Sequence, residues 1–423
     1  MAVKYQIPRG TFDILPEDSY KWQYITVVFR KIARSFNYQE IVTPIFEKRE
    51  LFERSVGNSS DIVQKEMYKF KDKKGREFAL RPEGTAPVVR SFVENNLGMK
   101  DNSSKLYYLG PMFRYDRPQK GRFRQFYQYG VENISSDDPY IDAEVIAMGY
   151  VFLKKLGLSN FELEINSIGC TNCTGNYDKI LVKYFTPFIQ ELCSDCRDRI
   201  NKNPKRLLDC KVPECKKIAQ NAPSMLDYLD EECKEHFLEV QRNLKIMKIP
   251  FTINPKIVRG LDYYNKTAFE FVDKNLGTQD TLIGGGRYND LIGQFGGKDV
   301  PGIGYAGGFE RLMLSMETEG VTFGEKQIPD IYLVTLGEKV KDVAGKLLLD
   351  LRIAGVSAEY DPAKNSIKSQ MKTANKLQVR FALILGDDEL ARNKIILKDM
   401  KSGEQELIGL EKIVESLKKT CKK

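Results

Sequence analysis

Gly110-Pro111-Met112-Phe113-Arg114-Tyr115-Asp116-Arg117-Pro118-Gln119-Lys120-Gly121-Arg122-Phe123-Arg124 runs directly into Gln125-Phe126-Tyr127-Gln128-Tyr129-Gly130-Val131-Glu132. Aromatic and β-branched residues crowd both flanks, and Arg117 to Gly121 interrupts them, so two strands joined by a basic loop are expected between Lys105 and Asn133. Four arginines and a lysine stand in and beside that loop. Guanidinium forks bind phosphate oxygens bidentately and keep their charge, which suits a polyphosphate clamp; the alternative is a charged hairpin tip. The period of two in the second strand favours the clamp. It puts Gln128, Gly130 and Glu132 on one face and Tyr127, Tyr129 and Val131 on the other. An amide and a carboxylate flanking a glycine form a polar floor for a small cationic ligand.

Further segments carry similar chemistry. Arg81-Pro82-Glu83-Gly84-Thr85 places a carboxylate and a hydroxyl on either side of a glycine, an acceptor pair for an ammonium group. Val258-Arg259-Gly260-Leu261-Asp262-Tyr263-Tyr264-Asn265 and Gly284-Gly285-Gly286-Arg287-Tyr288 each combine arginine, glycine and tyrosine, which let backbone and guanidinium come close to an anion. Each alone could be a turn with exposed charge. Gly302-Ile303-Gly304-Tyr305-Ala306-Gly307 satisfies G-x-G-x-x-G, but Gly293 to Pro301 before it is no strand and no βαβ unit follows, which disfavours a dinucleotide oxidoreductase.

Outward from these motifs, helical spacing is expected from Ser19 to Phe36, with Trp22, Ile25, Phe29, Ile32 and Ala33 on one stripe, and again from Asp142 to Lys155. From about residue 165 the texture changes to cysteines and amphipathic helices, one of them led by Ser224, and the 170–255 segment reads as an inserted helical domain. A polar linker from Gly320 to Pro329 precedes alternating strands and helices, expected to form a mainly parallel sheet. There, over 328–423, 18 Lys and Arg stand against 14 Asp and Glu, which fits a tail domain touching a polyanion as well as it fits a solvated basic surface.

The whole chain of 423 residues has room for about three domains. Its 42% hydrophobic and 29% charged residues exclude a largely disordered protein, and its net charge of +8 mildly favours polyanions. It contains one histidine, His236, so a histidine-based triad or metal site would have to converge there. His236 lies beside a helical apolar stripe and is expected to be a partly exposed structural residue. The N-terminal residues lack a signal-length apolar run and no stretch reaches membrane-span length, so a cytoplasmic protein with reduced thiols is expected. Seven of the eight cysteines lie between 170 and 233. Cys193-Ser194-Asp195-Cys196 with Cys210 and Cys215 resembles a four-thiolate structural zinc site, although the second pair is unusually wide; Cys170 and Cys173 could compete, and reduced thiols are the alternative.

Taken together, the motifs resemble the bacterial histidyl-tRNA synthetase family of class II aminoacyl-tRNA synthetases, from Ile7-Pro8-Arg9-Gly10 to the C-terminal domain. Phe36 to Pro44 is similar to class II motif 1, Gly110 to Glu132 to motif 2, and Gly307-Gly308-Phe309-Glu310-Arg311 to motif 3. Arg259-Gly260-Leu261-Asp262-Tyr263-Tyr264 and Gly284 to Tyr288 resemble the two histidine-specific motifs. Asp290 departs from the family's usual glycine. The resemblance implies an α/β fold. A class II catalytic domain with an antiparallel sheet would span 1–325, interrupted by the helical insertion at 170–255, and an α/β anticodon-binding domain would occupy 328–423. It implies a homodimer formed through motif 1, with ATP, Mg²⁺, L-histidine and tRNA(His) as ligands and no membrane. Glu83, Thr85 and Gln128 would hold the α-ammonium of histidine, and Glu132 and Tyr264 would bracket the imidazole, with Tyr263 and Tyr288 in the same pocket. Arg114 would grip the α-phosphate, Arg122 and Arg311 the outer phosphates, and Phe126 would lie under adenine. Arg259, with Arg114, would be catalytic. A regulatory subunit that binds histidine without aminoacylation is the alternative; such paralogues tend to lose the Arg259 to Tyr264 segment and the C-terminal domain, both present here.

Overall fold

A computed structural model describes the chain except residues 1–4, 58–59, 99–103, 325, 327 and 422–423, so two positions of the expected linker lie outside the described residues. The chain forms two compact units, Met1–Gly324 and Glu325–Lys423.

The first unit is built on an eight-stranded sheet. Its strands are β1 (Gln39–Glu40), β5 (Ser104–Phe113), β6 (Gln125–Ile134), β7 (Glu162–Ser167), β8 (Thr252–Ile253), β9 (Asn265–Val272), β10 (Thr281–Arg287) and β11 (Gly302–Gly308). The spatial order is β1-β5-β6-β11-β10-β9-β7-β8. The six central strands pair antiparallel, while β1 and β8 join the edges in parallel. A second, three-stranded sheet comprises β2 (Phe46–Lys48), β3 (Lys69–Lys71) and β4 (Glu77–Leu80). The basic hairpin is where its alternation places it, with Gly110 opposite Gln128 and Leu106 opposite Glu132.

One face of the large sheet is covered by helices. Helix α1 (Ser19–Ser35) buries the expected stripe from Trp22 to Ala33 there, whereas α2 (Thr85–Glu94) packs on the other face, against Leu106, Tyr108 and Ile134. Helix α3 (Pro139–Lys155) joins α1, α4 (Thr171–Phe185) belongs to the helical segment, and α5 (Glu231–Ile246) and α6 (Phe309–Thr318) also join α1. Tyr129, Val131, Phe269, Phe271, Ile303 and Tyr305 point from alternate strand positions into this core, where they meet Phe29, Phe152 and Leu244. Truncating a buried phenylalanine such as Phe29 to alanine costs about 3–5 kcal/mol. The opposite face of β6, β9, β10 and β11 carries Gln128, Glu132, Glu270, Gly284 and Ala306, and the candidate site stands there.

The helical stretch expected from Ser224 is broken. Ser224 caps a 3-10 turn at Met225–Tyr228, and α5 begins only at Glu231, where the Asp230 side chain accepts the Cys233 amide. A small core of its own, including Tyr177, Leu181, Leu192 and Leu207, lies within the helical segment, whereas Phe237, Val240 and Leu244 of α5 join the main core.

The second unit holds a five-stranded sheet of order β13-β12-β14-β15-β16, formed by β12 (Ile331–Leu336), β13 (Ala358–Glu359), β14 (Phe381–Gly386), β15 (Lys394–Asp399) and β16 (Gln405–Gly409). The first three strands are parallel, as expected, but β15 and β16 are antiparallel, so the sheet is mixed rather than mainly parallel. The physical reason is connection length. Only 387–393 links β14 to β15, too short for a parallel crossover.

Candidate active site

The opposite face of the sheet, partly covered by α2, forms the floor of a cavity of about 1020 Å³, counted with its open mouth. Three predicted phosphate-binding arginines converge on it from different elements. Arg114 leaves the end of β5 and is fixed by its Nε, which donates to the Pro82 carbonyl at 2.8 Å; its guanidinium lies 5.2 Å from the Phe126 ring. Arg122 comes from the basic loop and pairs closely with Asp116 and, at 3.6 Å, with Glu66. Arg311 projects from the first turn of α6 and donates to the Thr281 carbonyl at 3.3 Å. Burial lowers the pKa of both Arg114 and Arg311, and for Arg311 the positive charges of Arg122 and Arg114 add to the effect. Three cations held this close in a cavity suit a polyanionic ligand.

Arg259 lines the same cavity. One of its terminal nitrogens makes a short ion pair with Glu270 on β9, whose second oxygen accepts the Thr281 hydroxyl at 3.1 Å. Its guanidinium lies 5.2 Å from the Tyr264 ring. Gly284 makes this position possible, because a Cβ there would come within 2.6 Å of Arg259 Nη2. Burial opposes the Arg259 charge, but Glu270 and the neighbouring tyrosines outweigh it and hold the pKa above the ordinary value. Arg259 Nε and Gln128 Oε1 are both buried without a hydrogen-bond partner. Such atoms cost free energy unless a ligand completes them.

The histidine-pocket candidates divide into two layers. Glu83, Thr85, Gln128, Tyr263 and Tyr264 line the cavity. Glu83 sits before α2 and accepts the Thr85 and Ala86 amides at 2.6 and 2.9 Å, so both of its oxygens also cap the helix. Burial raises its pKa, and those two amides hold the rise down. Glu132 and Tyr288 do not line the cavity. Glu132 is completely buried, accepting the Thr85 hydroxyl at 2.7 Å and the Tyr288 hydroxyl at 2.5 Å. Burial pushes its pKa up to about 8 against those two hydrogen bonds. The glycine floor is also corrected: a Cβ on Gly130 would strike the Tyr108 ring at 2.4 Å, so tyrosine, rather than ligand, fills the space over that glycine.

Two expectations are overturned by buried ion pairing. Arg287 approaches no open anion site. It is fully buried, bonds Asp142 Oδ2 at 2.5 and 2.8 Å, and donates to the carbonyls of Ser136 and Asp138. His236 is buried rather than partly exposed, because its Nε2 meets the other Asp142 oxygen at 3.2 Å. Glu270, Thr281 and Glu310 were not anticipated as site residues. A lone carboxylate inside the apolar run Ala268-Phe269-Glu270-Phe271 was a legible signal for the first. Glu310 lines the cavity, its Oε1 accepts the Tyr127 amide at 2.8 Å, and burial raises its pKa to about 7.

Within the helical segment, the sulfurs of Cys193, Cys196, Cys210 and Cys215 all lie within 4.8 Å of one another. Cys193 and Cys210 are 3.9 Å apart at sulfur, and the Cys193 amide donates to Cys215 Sγ at 3.2 Å. Cys170 and Cys173 do not compete for this place; they stand in a separate group.

The sequence model of the histidyl-tRNA synthetase family matches residues 10–172 and 206–312, and that of an anticodon-binding domain matches 330–420. The chain belongs to the histidyl-tRNA synthetase family. Within the family, it is 51% identical over 417 residues to the histidine–tRNA ligase of Bacillus licheniformis, covering 98% of each chain. It is 50% identical over 412 residues to that of Halothermothrix orenii, covering 97% of this chain and 98% of the relative. The structure is similar to that of apo histidyl-tRNA synthetase from S. aureus, with a TM-score of 0.84 at 43% identity, covering 98% of this chain and 100% of the other. The family match includes both arms of the hairpin, the Arg259 segment and α6 up to residue 312, so the elements that build the cavity are family elements. No helix among the described residues is long and apolar enough to cross a membrane.

Proposed function

We propose that the chain is a histidine–tRNA ligase that forms histidyl-adenylate from histidine and ATP, releases pyrophosphate, and transfers histidine to the 3′ end of tRNA(His). The observation that carries this reading is the convergence of four arginines, 114, 122, 259 and 311, on one cavity that also offers Glu83, Thr85, Gln128 and Tyr264. A histidine carboxylate oxygen attacks the α-phosphorus of ATP, the bond from that phosphorus to the bridging oxygen breaks, and pyrophosphate leaves. The nucleophile is already an anion, so no side chain need act as general base in this step. Arg259 and Arg114 hold the α-phosphate and the incoming carboxylate as charge builds. A preorganised donor of this kind is typically worth about 10² to 10³ in rate. Arg122 and Arg311 hold the outer phosphates, and Phe126 packs under adenine.

Glu83, Thr85 and Gln128 hold the α-ammonium. Tyr264 meets the imidazole from the cavity wall; Glu132 stands behind that wall with both oxygens taken by the Thr85 and Tyr288 hydroxyls, so it meets the ring only when one of those hydroxyls turns away; Tyr263 packs at 4.6 Å against Tyr264. Mg²⁺, when bound, screens the phosphate charge. Glu310 is the residue that would hold it, since one carboxylate beside a polyphosphate is the usual protein share for a hydrated Mg²⁺. Cys193, Cys196, Cys210 and Cys215 would hold a structural Zn²⁺, for which tetrahedral bonds of about 2.3 Å demand sulfurs about 3.8 Å apart. Val42, 80% exposed beside the edge strand β1, with half-exposed Ile45 and Phe46, supports a homodimer formed through this segment. The Glu325–Lys423 unit, with its excess of basic residues, would read the anticodon region.

Retention of the Arg259 to Tyr264 segment in the cavity favours this reading over a regulatory subunit. Charging of bulk tRNA with labelled histidine tests it. Histidine accepted by tRNA(His) alone is expected, and protein that binds histidine without charging any tRNA would return the regulatory reading.

A further inference from the structure

We propose that Cys170, Cys173, Asp230 and Cys233 form a second zinc site, separate from the four-cysteine cluster, which ties the start of α4 to the start of α5.

The four donor atoms all lie within 4.8 Å of one another. Cys170 and Cys173 are 3.6 Å apart at sulfur, and Cys170 Sγ stands 3.0 Å from Asp230 Oδ2. Zinc bonds of about 2.3 Å to sulfur and about 2.1 Å to oxygen give tetrahedral edges of about 3.8 and 3.6 Å, so a modest outward shift of the side chains admits the ion. The cysteines are free thiols, and Cys173 and Cys233 are buried. Among the described residues no Lys, Arg or His forms an ion pair with Asp230.

The backbone is arranged as ligation requires. Cys170 precedes the first turn of α4 and Cys173 lies within it; Asp230 precedes α5 and Cys233 lies in its first turn. Each pair is therefore separated by two residues at a helix N-terminus, and the two N-termini bring their donor atoms together. Three thiolates and a carboxylate around Zn²⁺ carry a net charge of −2, which two helix N-termini stabilise. Outer contacts also orient the donors: the Asp230 amide donates to Cys173 Sγ at 3.2 Å, and Asp230 Oδ1 accepts the Cys233 amide at 2.9 Å, leaving Oδ2 facing Cys170.

Position gives the site its consequence. Ile168 and Gly169, just before Cys170, exchange backbone hydrogen bonds of 2.8 Å with Lys266, two residues beyond Tyr264. Lys266 Nζ also binds Glu232 at 2.8 Å, between Asp230 and Cys233. A metal here fixes the base of the strand that follows the Arg259 loop.

Zinc released from the full-length protein by a mercurial thiol reagent, and counted with a colorimetric indicator, tests the proposal. Two ions per chain are expected, falling to one in Cys170→Ser/Cys233→Ser and to one in Cys193→Ser/Cys210→Ser. Asp230→Cys should keep both ions, while Asp230→Ala should weaken one. A wild-type count that Cys170→Ser/Cys233→Ser leaves unchanged overturns the second site, whatever becomes of the first. Should those variants fail to fold, alkylation mapping of the wild-type protein decides. Cys170, Cys173 and Cys233 should become reactive when a zinc chelator is added, and rates indifferent to chelator contradict the proposal.

Discussion

Replacing Arg259 by alanine removes a cation but leaves its partner, Glu270, buried at the reacting centre, and this sets the size of the expected loss. At an effective dielectric of about 20, a guanidinium about 4 Å from a developing phosphate charge stabilises it by about 4 kcal/mol, and a carboxylate about 8 Å away opposes it by about 2 kcal/mol. In the native site the two act as a pair. In Arg259→Ala the repulsion stays while the attraction goes, so kcat for adenylation should fall about 10³-fold. In Arg259→Ala/Glu270→Gln both charges are absent and the loss is the difference, about 30-fold. Glutamine keeps an acceptor for the Thr281 hydroxyl, which Glu270 now receives at 3.1 Å. The double variant should therefore be faster than the single one. Rapid-quench measurement of histidyl-adenylate formation at saturating ATP and histidine reads this directly. A double variant as slow as Arg259→Ala, or an Arg259→Ala effect confined to KM for ATP, would refute the reasoning.

Arg287→Ala should cost about 3–5 kcal/mol in denaturant unfolding, because it strands the buried Asp142 carboxylate with His236 alone; KM for histidine in the folded fraction should hold, and a selective rise in KM would restore Arg287 to the ligand pocket. Glu132 has a folded pKa of about 8 because of burial, above the unfolded carboxylate value of about 4.3, so its stabilising contribution is complete below the unfolded value and is lost as pH rises toward 8. Between about pH 5 and pH 8 the Tm of wild type should therefore fall relative to Glu132→Gln, and a constant difference would contradict the buried acid. Tyr264→Phe should erode selection for histidine over amino acids lacking ring nitrogens by at least about tenfold, since hydrogen-bonding sites reject such substrates by leaving polar groups unpaired. An unchanged ratio of kcat/KM values would show that Tyr264 does not read the ring.

The hairpin from β5 to β6 was legible because alternation along a strand is a local property, and Gln128 and Glu132 do share a face. What fills the space above Gly130 was not, because that depends on Tyr108 standing opposite it in register across the hairpin. Arg287 and His236 were misread for a related reason. Both answer to Asp142, far away in sequence, and an arginine beside glycines looks the same whether it faces a ligand or a buried carboxylate. Apolar spacing ran on through Leu229 and concealed the break before α5, which the Asp230 cap imposes. Local chemistry did mark Arg114, Arg122 and Arg259, because a cluster of cations separated by glycine and aromatic residues has few purely structural uses, whereas Arg311 was implied only by the family resemblance. Cysteine spacing along the chain could not separate two clusters, since each is assembled from two segments that only the fold brings together.

Histidine-dependent exchange of labelled pyrophosphate into ATP bears most directly on the claim that this cavity activates histidine. Exchange without tRNA is expected, saturable in histidine, dependent on Mg²⁺ and abolished to near background in Arg259→Ala. Protein that binds histidine and ATP yet shows no exchange at saturating concentrations of both would contradict it.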